Sequence, residues 1–156
     1  MGELYVALKW LHVLGAIVLF GTGLGTAFHL WFANRTGDAR LIAAAAHSTV
    51  IADYAFTLPA GLLQPITGFA LATAAGYPLG ARWIVAAFVL YVVAAACWIP
   101  VVFIQLRLRD IARASVRDAA PLPAAYRRLW NAWFALGWPA FLALAIAVWL
   151  MIARPA

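Results

Sequence analysis

The chain has 156 residues, 67% of them hydrophobic and 10% charged, with a mean hydropathy of +0.95. Soluble domains carry about 45–50% apolar and about 25% charged residues, so this composition excludes a soluble fold and describes a polytopic membrane protein with a single domain, residues 1–156. The net charge of +6 does not point to nucleic acid, because the arginines fall between apolar segments, where juxtamembrane cations face anionic lipid.

Four hydrophobic stretches follow one another, at about residues 4–32, 41–74, 83–106 and 129–152. Each reaches the roughly 20 residues that a helix needs to cross a bilayer. The expected fold is therefore all-α, a bundle of four transmembrane helices. The first stretch has Glu3 near its start and neither a cationic leader nor a small-residue cleavage site, so it is expected to be a retained span.

The connections differ in kind. Asn34-Arg35-Thr36-Gly37-Asp38 and Gly76-Tyr77-Pro78-Leu79-Gly80 are short, with residues that end helices, and make their flanking spans antiparallel neighbours. The long connection from Arg107 to Arg128 is expected to continue the third helix and to end it near Pro121 and Pro123. Arg35, Arg40, Arg107, Arg109, Arg113, Arg117, Arg127 and Arg128 all lie in the first and third connections, whereas Lys9, Arg82 and Arg154 lie at the opposite ends. The positive-inside rule then puts both termini outside, in the periplasm if the membrane is a bacterial inner membrane.

Gly21 and Gly25 form a GxxxG spacing, which permits close helix approach and suggests a homo-oligomer contact. Pro59, Pro65, Pro100 and Pro139 fall inside spans, and each is expected to kink its helix and to free a carbonyl for another partner.

Ionisable residues inside spans are costly and mark candidate sites. Lys9 and His12 lie three residues apart, on one face of the first helix. His29 is about 25 Å further along the axis, so it and His12 cannot share a metal ion. His47, early in the second span, is expected near the depth of His29. Two polar layers follow: an outer one with Lys9, His12, Gln64 and Arg82, beside Trp83 and Trp149, and an inner one with His29, His47, Asp53, Gln105 and Asn131. In the second span, Asp53, Thr57, Gln64 and Gly68 recur at helical spacing and form a stripe expected to point inward.

His12 has two readings. It is an axial ligand to haem iron, with Gly15, Ala16 and Gly23 leaving room for a flat macrocycle and Lys9 meeting a propionate; or it is hydrogen-bonded to a neighbouring helix. His29 and His47 suit interfacial positions, or a second haem or metal bridged between them. Asp53 either carries protons or ties helices together. Trp10, Trp31, Trp83, Trp130 and Trp149 read as an aromatic belt, while Trp98, Trp133 and Trp138 lie deeper and pack the interior or wall a cavity. The single Cys97 precludes an internal disulfide and reads as a small buried hydrophobe. No Ser-His-Asp constellation or His-Glu-x-x-His sequence suggests hydrolysis.

The runs Leu4-Tyr5, Lys9-Trp10-Leu11-His12, Phe20-Gly21-Thr22-Gly23, Ala33 to Asp38, Ile51-Ala52-Asp53-Tyr54, Gln64-Pro65-Ile66-Thr67-Gly68, Ala96 to Pro100 and Trp133 to Pro139 resemble an uncharacterised bacterial family of small four-helix integral membrane proteins, known only as a domain of unknown function. Lys9-Trp10-Leu11-His12 is also similar to the Lys-x-Leu-His motif that opens the first helix of membrane-embedded protoporphyrinogen oxidases. Tyr126-Arg127 and Arg154-Pro155 are similar to that family's last helix, and copper-resistance membrane proteins look similar at the same level. That resemblance implies a haem ligand at His12 with Lys9 beside it. After Phe20 the chain departs from the oxidase pattern, with Gly21 to Phe28 and a His29 out of register, so the carry-over stops at those two residues.

The leading expectation is thus a membrane protein that binds haem b through His12, with Lys9 and Gln64 in the same layer, and that takes part in electron transfer or oxidoreductase chemistry with a redox partner. The alternatives are a small transporter or proton-conducting bundle that uses Asp53, Thr57 and Gln64, and a non-catalytic membrane subunit or assembly factor.

Overall fold

A computed structural model describes residues 2–155. Its described residues form helices α1 (Gly2–Thr36), α2 (Ala39–Ala52), α3 (Leu58–Ala74), α4 (Arg82–Arg117) and α5 (Ala124–Ala153). A single π-helical turn, Asp53–Thr57, joins α2 to α3, so that Ala39–Ala74 is one continuous span and the chain crosses four times. Lipid offers the backbone no hydrogen bonds, so apolar runs of this length close every bond internally as helices.

The helices are longer than the apolar stretches suggest. With 30 to 36 residues each, they reach about 45–54 Å, against about 30 Å of hydrocarbon. Tilt and projection past the headgroups accommodate the excess. α4 continues through the arginine-rich segment to Arg117 and stops before Pro121 and Pro123, as the sequence indicates. The first turn is tighter than expected, because α1 runs to Thr36 and leaves only Gly37 and Asp38 to reverse the chain. Gly37 takes a left-handed φ of 70°, open to glycine at little cost. Asp38 then caps α2 by accepting a 2.8 Å hydrogen bond from the Arg40 backbone N–H.

The four spans pack in sequence order around the bundle. α4 lies most extensively against α5, α2 packs on α4, and α1 packs along the second span. The seam between α1 and α5 includes an edge contact of Phe20 with Phe141 and a hydrogen bond from Tyr126 Oη to Asn34 Oδ1. The buried core gathers at the end near the first and third connections: Leu30, Ala33, Ile42, Ala45, Ala46, Leu108, Ala112, Tyr126 and Trp133 form one cluster. Alanines at these contacts let helix backbones approach closely. Gly21 and Gly25 are exposed and face open space within the chain, so their spacing is not used between these four helices.

α3, α4 and α5 run unbroken through Pro65, Pro100 and Pro139. Pro65 lacks the N–H that would bond the Gly61 carbonyl four residues back. The Tyr91 hydroxyl of α4 takes that carbonyl instead, at 2.7 Å. The π turn ends two residues before Pro59, and it contains Ala55, the residue whose carbonyl the Pro59 ring would meet in a regular helix.

Candidate functional site

The helix face that the second span turns inward carries polar groups at Thr49, Asp53, Thr57, Gly61 (through its freed carbonyl), Gln64 and Thr67. These five steps average 3.6 residues, one helical turn each, so the stripe climbs the span without leaving its face. It divides into two clusters bridged by Tyr91.

Asp53 is the centre of the first cluster and is only 6% exposed. One carboxylate oxygen accepts from Thr57 Oγ1 at 2.8 Å, and the other accepts a short hydrogen bond from Gln105 Nε2. The Gln105 carbonyl oxygen accepts from Trp133 Nε1 at 3.2 Å. An indole only donates, so it dictates which way the Gln105 amide faces and commits the NH2 group to Asp53. The chain Trp133–Gln105–Asp53–Thr57 thus ties α5 and α4 to the π turn. The Trp98 indole lies beside the same carboxyl, yet its buried Nε1 closes no hydrogen bond of adequate geometry. The Thr49 hydroxyl, one turn earlier, is also buried without a partner.

His12 is the centre of the second cluster, about 20 Å along the span from Asp53. Its Nδ1 lies 2.8 Å from Thr67 Oγ1. The Thr67 hydroxyl also lies 2.7 Å from the Leu63 carbonyl, and with its proton on that carbonyl it accepts from His12 Nδ1–H. The ring lies over Gly68, where a Cβ would come within 3.2 Å of Cε1. Gln64 Nε2 donates to the His12 backbone carbonyl at 2.9 Å, in a notch that only Gly15 leaves open: a Cβ there would sit 2.6 Å from the amide nitrogen.

The two polar layers expected from the sequence correspond to these clusters, with several differences in membership. Asn131 is exposed and lines a cleft of about 910 Å³ at the connection end, with Asn34, Tyr126, Arg128 and Trp130, rather than joining Asp53. His29 and His47 are exposed on α1 and α2, outside the Asp53 cluster. Lys9 and Arg82 are exposed as well. Trp138 is 56% exposed, whereas Trp133 is buried and hydrogen-bonded, and Cys97 is half-buried. The stripe points inward as expected, but it serves two neighbours: Asp53 faces α4, while Gln64 and Gly68 face α1.

For haem, the donor chemistry of His12 fits: a proton held on Nδ1 by an oxygen leaves Nε2 as the ligating nitrogen. The space expected beside Gly15 does not fit, because the Gln64 amide fills it. Thr67 and Tyr91 are members of the site that sequence reasoning missed. The spacing from Gln64 could have found Thr67, and nothing local marks Tyr91.

No curated protein and no solved structure matches the chain. A family model described as "Predicted integral membrane protein (DUF2269)" matches residues 6–155. With nearly its whole length covered and four spans of the required length and composition, the chain belongs to the DUF2269 family of integral membrane proteins.

Proposed function

We propose that this protein conducts protons across the membrane, with Asp53 as the residue that takes up and releases the proton. The observation that carries this reading is a buried carboxyl inside a membrane span, held at a π turn by side chains from three spans. Ionisable groups at such depth are expensive and are found chiefly on ion and proton pathways, and π turns recur at functional positions. The polar stripe supports a route away from Asp53. Thr57, the Tyr91 hydroxyl on Gly61, Gln64 and the Thr67–His12 pair continue toward the other side of the bundle at steps of about 4.5–6 Å. The arginine-rich connections support an orientation in which they face the cytoplasm of a bacterial inner membrane and both termini face outward.

The test is proton flux into proteoliposomes that enclose a pH-sensitive dye, under an imposed potential. Wild type is expected to conduct above empty vesicles, and Asp53→Asn to fall to the empty-vesicle rate while eluting as a folded protein. Equal flux in Asp53→Asn and wild type would remove Asp53 from the role.

A second reading, a haem b site at His12 with an electron-transfer role, is favoured by the Nδ1–H donation that leaves Nε2 available. In that case His12 holds the iron, Lys9 is the cation nearest along α1 for a propionate, and the haem supplies one-electron chemistry. A Soret band in haem-supplemented protein that is lost in His12→Ala would establish it; colourless protein would eliminate it.

A further inference from the structure

The eight arginines of the first and third connections are accompanied by three carboxylates, Asp38, Asp110 and Asp118. All three acids are committed locally. Asp110 pairs with Arg109 and Asp118 with Arg117, while Asp38 caps α2 through the Arg40 backbone N–H. Arg35 lies over the Trp31 ring, 5.0 Å from its centroid. Arg127 and Arg128 form no ion pair among the described residues.

Their position sets these two apart. Both are exposed, and both line the cleft of about 910 Å³ between the first connection and the start of α5, with Asn34, Tyr126, Trp130 and Asn131. Small-ligand clefts measure about 300–1,000 Å³. Tyr126 Oη donates to Asn34 Oδ1, and Asn34 Nδ2 donates to the Leu30 carbonyl, which holds that wall in place. The two guanidiniums are left for a ligand. The 30-residue helix α5 also begins at this cleft without a side-chain cap, so the positive end of its backbone dipole adds to the two cations.

A guanidinium presents a planar fork that matches a phosphate bidentately. Trp31 and Trp130 belong to the aromatic belt, which marks the headgroup boundary, so the cleft opens at the depth of lipid phosphates. We propose that it seats the headgroup of one anionic phospholipid, with the phosphate held by Arg127 and Arg128. This differs from the general attraction of cations to an anionic leaflet, because it singles out two of the eight arginines. It is independent of the role of Asp53.

The test is native mass spectrometry of the protein in neutral detergent, titrated with phosphatidylglycerol, phosphatidylcholine or inorganic phosphate. Wild type is expected to retain one phosphatidylglycerol per chain, and Arg127→Gln/Arg128→Gln to bind it at least about tenfold more weakly. Arg107→Gln/Arg113→Gln removes the same charge from exposed positions on α4 outside the cleft and is expected to bind like wild type. No retained phosphatidylglycerol in wild type overturns the proposal, as does unchanged binding in Arg127→Gln/Arg128→Gln. Equal weakening in the two double variants overturns the cleft in favour of diffuse surface charge. Equal retention of phosphatidylcholine overturns the choice of an anionic lipid, and displacement of phosphatidylglycerol by equimolar inorganic phosphate overturns the lipid in favour of a soluble phosphate ligand.

Discussion

The two ends of the bundle are held together by different physics. At the connection end, Leu30, Ala46, Leu108 and Ala112 are fully buried, and small side chains bring α1, α2, α4 and α5 into direct contact. At the opposite end Ala72, Ile84, Ala87, Ala143 and Ala147 are buried on α3, α4 and α5, but α1 is held by polar clasps, Thr67 on His12 and Gln64 on the His12 carbonyl, and Arg154 reaches Tyr77. There the large side chains of α1, such as Val6, Trp10 and Ile17, turn outward to lipid. Apolar packing between helices gains little over lipid, so the tight end depends on close fit, and the hold on α1 at the other end depends on hydrogen bonds that average about 0.6 kcal/mol each in membranes. Asp53 stands between them, anchored through Gln105 to the core residue Trp133 on one side and continuous with the polar stripe on the other.

The largest expected effect comes from cutting into the tight end. Leu108→Ala removes a fully buried side chain among close-packed helices and should cost about 2–5 kcal/mol, read as a loss of folded protein in detergent unfolding; a loss below about 1 kcal/mol would mean that the core closes over the gap. Next comes the bridge between the halves. Tyr91→Phe strips the hydroxyl that donates to the Gly61 carbonyl, at an expected cost of about 1–3 kcal/mol if nothing replaces it. Wild-type stability in Tyr91→Phe would show that the proline-freed carbonyl finds another partner.

Smaller again is the notch at the loose end. Gly15→Ala places a methyl 2.6 Å from Gln64 Nε2; the flexible amide swings aside and gives up one hydrogen bond, for about 0.5–1.5 kcal/mol. A loss as large as that of Leu108→Ala would contradict the contrast between the ends. The smallest effect lies outside both. Arg117 hydrogen-bonds and attracts Asp118, which holds that carboxyl below its usual range. A lowered folded value means that any stabilisation is present above the ordinary carboxylate pKa and fades as pH falls through the lowered one. Both side chains are exposed, so Asp118→Asn should leave Tm unchanged at neutral pH and should not alter its acid dependence measurably.

Local pattern carried much of this. Residues 41–74 read as one span because a run of apolar residues has the same meaning in any context. Asp53, Gln64 and Gly68 read as inward-facing because helical spacing puts them on one face. Pro65 announced a freed carbonyl. His29, His47 and Asn131 were less legible, since polarity within a span says that a residue avoids lipid without saying whether it turns to the core or to the headgroup boundary. The haem-sized space beside Gly15 was misread for a related reason: a glycine records that something comes close, and here it is Gln64.

By itself, then, the sequence determined four membrane-crossing helices, their tight first and second turns, and a polar face on the second span. Those are properties of composition and of the 3.6-residue period, which the chain carries locally. Only the tertiary structure decided that Asp53 meets Gln105 and Trp133, that Tyr91 claims the Gly61 carbonyl, and that Thr67 takes His12 Nδ1. Each of those pairs joins residues at least 28 positions apart. Their meeting depends on how far each helix is rotated and slid against its neighbour, which is set by the summed fit of all the side chains between them.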